Sequence, residues 1–246
     1  TDSTSGGSQE ITAEDDLTFV QITTTGLPAD PGDVTLRSVN GVVRGGSIDA
    51  AGTARLSGGT VDFDLILTGA DTVITAPGTV IGARIEAGGT VDVTGTGVSL
   101  VSVSAGDDVD VDAGDGSLVV ETVDAGGSSR LKGTGVTYGA IVTGGDSDID
   151  GGTGPVNGVM LNAGGTSTIE GAGVFFDTII AGVDSIIRST GDIIGELEEA
   201  GERVINIAGF GPGNTGNLDV KTIRARFIDL QASGRLEVGA LEVGRE

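Results

Sequence analysis

The chain of 246 residues has no cysteine, no histidine and no tryptophan, and only 3% of it is aromatic. Without cysteine there are no disulfides and no thiolate metal sites. Without histidine the commonest general base and the usual zinc ligand are both missing. Only two lysines occur, Lys132 and Lys221, against a formal net charge of −23. A surface this acidic repels phosphate backbones and anionic head groups, so nucleic acid is not an expected partner. No apolar run approaches the roughly 20 residues needed to span a bilayer, and membrane insertion is not expected either.

Glycine is abundant, with 46 residues, yet 37% of the chain is apolar. Disorder goes with low hydrophobicity, so a folded chain of short Val/Ile/Leu strands joined by glycine turns is the better reading. Seven glycines, Gly59, Gly78, Gly97, Gly116, Gly135, Gly154 and Gly173, follow one another every 19 residues. That interval is too short for a helix pair and fits one turn of a β-solenoid. Between them the chain alternates two apolar runs, such as AGGTVDVTGTG (87–97) and GVSLVSVS (97–104), with the period-2 pattern of half-buried strands. The corner glycines Gly88, Gly106, Gly126, Gly144, Gly164 and Gly182 step by 18, 20, 18, 20 and 18, so a two-coil unit of 38 residues repeats.

The expected fold is all-β: a single right-handed parallel β-helix of about 19 residues per coil and roughly ten coils. Residues 1–31 read as a flexible N-terminal arm with one strand, 32–208 as the regular β-solenoid, 209–216 (GFGPGNTG) as a loop insertion, and 217–246 as open-ended C-terminal coils. ELEEAGERV (196–204) reads as another coil because Gly201 keeps the phase. Stacking the units vertically predicts three inward columns. The first holds Ile74, Val93, Val111, Leu131, Ile149, Ile169 and Ile187. The second holds Ile66, Ile85, Ser104, Val123, Val142, Leu161 and Ile180. The third holds Ile81, Leu100, Val119, Tyr138, Asn157 and Phe176. Of the adjacent Phe175 and Phe176, one belongs to the core and the other faces out.

The 19-residue coil, the AGG-x-x-x-[VIL] runs and phrases such as GNLDV and FIDLQASGRLEVG resemble the filamentous haemagglutinin class of bacterial adhesins, over roughly residues 32–246. The resemblance implies a right-handed parallel β-helix secreted through an outer-membrane partner. That family's secretion domain begins with an Asn-Pro-Asn-Gly-type motif, which is absent here. The resemblance therefore implies a shaft segment or a relative exported by another route.

The strongest candidate site is a charged ladder. Asp92, Asp110, Arg130 and Asp148 are expected on one side of an inward residue, and Thr94, Asp112, Lys132, Asp150, Glu170 and Arg188 on the other. Asp110 and Asp112 with Asp115 offer oxygen ligands of the kind Ca²⁺ takes. The plainer reading is that acidic and basic residues interleave to relieve vertical repulsion. The calcium-binding solenoid nonapeptide is absent, GGTGPVNGV (151–159) being its nearest approach. Asp110, Asp148, Arg130 and Lys132 are also roughly placed for polysaccharide cleavage, and paired carboxylates for glycoside hydrolysis. They continue the repeat rather than break it, and no cleft-forming loop precedes residue 209, so a non-enzymatic role is expected. The expectation is an extracellular or bacterial cell-surface structural protein without a required cofactor, an adhesin shaft or surface fibre. Its partners would be further coils of a longer chain, further copies joined end to end, or a surface glycan or protein.

Overall fold

The computed structural model describes residues 2–244, and every regular element among them is a β-strand. No helix among the described residues is long and apolar enough to cross a membrane. The chain divides into two compact units, residues 1–127 and 128–246.

The first unit begins with β1 (Asp2–Ser5), β2 (Gln9–Ala13), β3 (Leu17–Thr24), β4 (Val34–Ser38), β5 (Val42–Ala50), β6 (Ala54–Ser57) and β7 (Thr60–Thr68). It continues with β8 (Thr72–Thr75), β9 (Val80–Ala87), β10 (Val91–Thr94), β11 (Val98–Ala105), β12 (Val109–Asp112) and β13 (Leu118–Ala125). The second unit holds β14 (Ser129–Lys132), β15 (Val136–Thr143), β16 (Ser147–Asp150), β17 (Val156–Ala163), β18 (Ser167–Gly171) and β19 (Val174–Ala181). It ends with β20 (Asp184–Ser189), β21 (Ile193–Ala200), β22 (Arg203–Ala208), β23 (Leu218–Ala225), β24 (Phe227–Ala232) and β25 (Leu236–Val243).

Within each unit odd strands pair with odd strands and even with even, always in parallel. Each turn of chain thus adds one strand to each of two sheets, which is the β-solenoid that the glycine spacing predicts. The turns number about 13, not ten, because coils form at both ends where the sequence pattern is weak. Residues 1–31 contain three strands instead of an arm with one. β1 pairs with β3, and β2 with β4. The arm reading failed because the first coil puts polar residues in inward columns: Ser3 stacks on Ile22, Ser5 on Thr24 and Gln9 on Val34. Residues 196–204 belong to β21 and β22. Residues 209–217 separate β22 from β23, and Gly209, Gly211 and Gly213 there take positive φ. Thr1, Arg245 and Glu246, the extremes of the expected arm and C-terminal coils, lie outside the described residues.

Most eight-residue odd strands, β25 excepted, bury their first, third, sixth and eighth residues. β9 buries Val80, Gly82, Ile85 and Ala87, with Ala83 and Arg84 both outward. Two successive outward residues mark a bend, and the register with both neighbours skips Ala83. Even strands bury alternate residues, as Val91 and Val93 in β10.

The first predicted column is correct: Ile74, Val93, Val111, Leu131, Ile149, Ile169 and Ile187 are all fully buried. The other two slip by one residue in alternate coils. The second column runs through Ile66, Ile85, Val103 and Val123 in one unit, and Ile141, Leu161 and Ile179 in the other. Ser104, Val142 and Ile180 therefore face outward. In the third column Leu100, Tyr138 and Phe176 are buried, but Ile81, Val119 and Asn157 are exposed. Gly82, Val120 and Gly158 hold those inward positions. The cause is the 18/20 alternation: a fixed step of 19 misplaces every second coil, and one residue of slip moves a side chain to the other face.

The corrected third column explains several glycines. It reads Phe19, Gly45, Phe63, Gly82, Leu100, Val120 in the first unit. In the second it reads Tyr138, Gly158, Phe176, Gly195, Val220. Each ring lies over the glycine of the next coil. A Cβ on Gly45, Gly82, Gly158 or Gly195 would run into Phe19, Phe63, Tyr138 or Phe176 respectively. At the corners, a Cβ on Gly88, Gly106 or Gly126, or on Gly164, Gly182 or Gly201, would strike the carbonyl oxygen of the preceding coil's corner glycine. The Ala-Gly pairs are thus fixed by backbone stacked on backbone.

Candidate functional site

The charged ladder stands in register as predicted. In the first unit Asp92 lies beside Asp110 and Thr94 beside Asp112. In the second, Arg130 lies beside Asp148, and Lys132, Asp150, Glu170 and Arg188 follow one another across four strands. Arg188 meets Glu170 at 2.9 Å. Partial burial, and then the neighbouring Asp110 charge, push the Asp92 carboxyl above its ordinary value. The second, smaller contribution is that of stacking two like charges about 5 Å apart.

Asp110 and Asp112 project from β12, and Asp115 sits in the turn that follows. Among the described residues no group of three or more acidic, histidine or cysteine side chains is placed to hold a metal ion. Asp112 has a local partner: its Oδ1 accepts the Gly114 N–H at 2.7 Å. Two coils on, Asp150 Oδ1 accepts the Gly152 N–H at 2.8 Å in the same way. Gly114 and Gly152 have φ of 54° and 55°, and each turn closes by a 2.9 Å backbone bond, Gly116 N–H to Ala113 O and Gly154 N–H to Gly151 O. Asp112 is a turn former repeated at a spacing of 38 residues, and Thr153 occupies the position equivalent to Asp115.

A second acidic series has a similar role. Asp33 accepts the Thr53 N–H at 2.8 Å, Asp71 that of Thr90 at 2.9 Å, and Asp146 that of Thr166 at 2.7 Å. Each carboxylate reaches over a glycine of the next coil, Gly52, Gly89 or Gly165, where a Cβ would collide with it. Asp184 is the next of the series, but Glu202 stands where the glycine is due, and Arg203, in the place of the threonine, binds the carboxylate, Nη2 to Oδ2 at 2.6 Å. The hydrogen bond from Arg203 holds the Asp184 carboxyl below its ordinary value.

On the outer face of the second unit, Phe175 and Phe176 divide as expected: Phe176 is buried and Phe175 is 37% exposed. A shallow groove of about 320 Å³ runs there across four coils, with Thr137, Asn157, Phe175, Asp177, Ile194 and Glu196 among its walls. Gly158 and Gly195 are also among its lining residues. Lys221 spans the two oxygens of Glu196 at 2.5 and 2.6 Å, so one wall is a closed ion pair.

Sequence reasoning missed a third feature, inside the second unit. Glu198 takes the place of an aliphatic residue between Ile179 and Ile223, and Asn206 does so between Ile187 and Leu230. Both are fully buried. Ser185 Oγ donates to Glu198 Oε1 at 2.6 Å and Asn206 Nδ2 to Oε2 at 2.5 Å. Burial pushes the Glu198 carboxyl up to about 7, against the two hydrogen bonds that favour its charged form. The signal was present in the spacing: stepping 19 residues from Ile179 and from Ile187 lands on these two polar residues.

The site chemistry is therefore of two kinds, repeated outward carboxylates that cap turns or stack as ladders, and the inward carboxyl of Glu198 with its polar partners. Set against models of known protein families, curated proteins and solved structures, the chain matches none.

Proposed function

We propose that this chain is a non-enzymatic extracellular structural protein, the right-handed β-solenoid shaft of a bacterial adhesin or surface fibre. The observation that carries the reading is the use to which the repeated residues are put. Glycines pack backbone on backbone, rings cover the next coil's glycine, and Asp33, Asp71, Asp112, Asp146 and Asp150 each accept a main-chain N–H. The polar residues that recur are those that build the stack. Right-handed winding follows from the strong preference of parallel crossovers for that hand. Acidity keeps such a shaft dispersed in salt water. Immunogold labelling of intact cells tests the role: labelled surface fibres are expected, and signal confined to the cytosol would overturn it.

A second reading, a subunit joined end to end with further copies, is favoured by the last coil. Leu236, Leu241 and Val243 of β25 are exposed, whereas their stacked counterparts Leu218, Ile223 and Ala225 in β23 are buried. Sedimentation of the purified chain separates the readings. Polymers that Leu241→Lys dissolves support assembly, and a concentration-independent monomer removes it.

A further inference from the structure

We propose that Glu198, Ser185 and Asn206 form a proton-operated clamp inside the second unit: while Glu198 is neutral the coils of β20–β23 stay closed, and its ionisation lets them open locally. The geometry is that of a carboxyl reaching across the lumen from one sheet to the other. Glu198 belongs to β21, while its two partners come from β20 and β22. Above and below it stand Ile179 and Ile223, so neither stacked neighbour solvates a charge.

No cation faces the carboxyl from the strands packed on it. Ser185 and Ile187 of β20, and Val204 and Asn206 of β22, are the buried residues facing it from the other wall. The titratable groups of these strands lie elsewhere. Asp184 is held by Arg203, and Arg188 by Glu170. On β21 itself Glu196 pairs with Lys221 of β23, and Glu199 with Arg224 of β23. Asp177 of β19 is exposed and Asp219 of β23 meets Arg235.

The neutral acid also repairs a hydrogen-bond deficit. Ser167 Oγ is buried without a partner, and Ser167 stacks in register on Ser185. A charged Glu198 takes the Ser185 hydroxyl proton for its own hydrogen bond. A protonated Glu198 donates to Ser185 Oγ instead and frees that hydroxyl to turn toward Ser167. Ser129 and Ser147 show the reach: the same in-register stacking brings their hydroxyl oxygens to 3.1 Å. Meanwhile Asn206 Nδ2 still donates to the carbonyl oxygen of the acid.

The sign follows from linkage. Burial raises the Glu198 carboxyl from 4.5 to about 7 in the closed coil, and opening to water returns it to 4.5. Between those values the closed form holds more protons, so its stability is complete below pH 4.5, falls as pH rises and levels off above about 7. At tenfold per unit, opening of these coils grows about 300-fold across that window.

Amide hydrogen exchange of the whole chain from pH 4 to 9, corrected for intrinsic rates, tests the clamp. Protection of β20–β23 should fall by up to about 300-fold relative to β7–β9, then flatten. In Glu198→Gln, or in the paired Glu198→Ile and Asn206→Ile chain that restores both aliphatic columns, it should be flat throughout. Protection in wild type that tracks β7–β9 at every pH would overturn the proposal. So would a ¹³C carboxyl resonance of Glu198 that titrates in the ordinary glutamate range, a measurement that needs no variant to fold.

Discussion

Residues 1–127 carry twenty carboxylates against four arginines, a net charge of −16, while residues 128–246 carry sixteen against nine basic groups, a net of −7. The coil is the same in both, and the chemistry that closes it differs. In the first unit acids cap main-chain N–H groups, as Asp33 and Asp71 do, and the buried columns stay almost wholly apolar. In the second, later coils exchange caps for ion pairs: Arg203 meets Asp184, Lys221 meets Glu196 and Arg226 meets Glu202. There two fully buried polar residues, Glu198 and Asn206, interrupt the apolar columns. The third column shows the same latitude, with Leu100 and Val120 in the first unit where the second has Tyr138 and Gly158. A solenoid coil thus specifies the volume shared by two stacked residues more than the identity of either.

That statement can be broken by exchanging the pairs. Gly158→Val in the second unit forces branched carbons into the Tyr138 ring and should cost about 3 kcal/mol or more. Tyr138→Leu alone removes buried ring atoms and should also destabilise, by about 2 kcal/mol. Together the two reproduce Leu100 over Val120, and a denaturation double-mutant cycle should show a coupling of 1 kcal/mol or more, about what contacting residues reach. Strict additivity would mean that the ring itself, rather than the shared volume, is what the coil requires.

A smaller effect separates the caps from the ion pair. Asp71→Ala leaves the Thr90 N–H without its acceptor and should cost about 1 kcal/mol. Asp184→Ala strands the Arg203 guanidinium instead, and that group reaches solvent. Its cost should therefore be the lesser and should shrink in salt, whereas that of Asp71→Ala should not. Its pH dependence has a definite sign as well. Arg203 lowers the Asp184 carboxyl, so the stabilisation is present above the ordinary carboxylate range and is lost as pH falls through the lowered value. Equal salt sensitivity of the two variants would erase the distinction.

The parts legible in the sequence are those that recur. Gly59 to Gly173 give the coil length, and Ile74 to Ile187 give one complete core column, because that column follows the steps of 18 and 20 that the corner glycines take. Ser104, Val142 and Ile180 misled because a mean of 19 conceals steps of 18 and 20 that the corner glycines already displayed. The first coil was hidden by chemistry: Ser3, Ser5 and Gln9 fill positions where only aliphatic residues announce a column. Asp112 was legible as a ladder residue but not as a turn former, since its partner is the main-chain N–H of Gly114 and leaves no trace in side-chain patterns. Glu198 was readable only as a breach of a column, and the breach is visible once the register is right.

The weakest effect, and the one that reaches the whole comparison, is that of salt. Like charges on successive coils repel through solvent, and raising ionic strength from about 0.05 to 1 M shortens the screening length to about 3 Å, below the coil spacing. The first unit has more than twice the net charge of the second in nearly the same number of residues, and no basic residue occurs between Arg84 and Arg130. Salt should therefore raise amide protection in β7–β11 while β16–β20 change little, because screening there weakens the Glu170–Arg188 attraction along with the repulsion. If both sets of strands gain equally, repulsion is not what distinguishes the units. Their charge difference would then bear on dispersal in solution alone. If the first set gains and the second loses, the ion pairs of the second unit are net stabilising, which exposed pairs seldom are by more than about 1 kcal/mol.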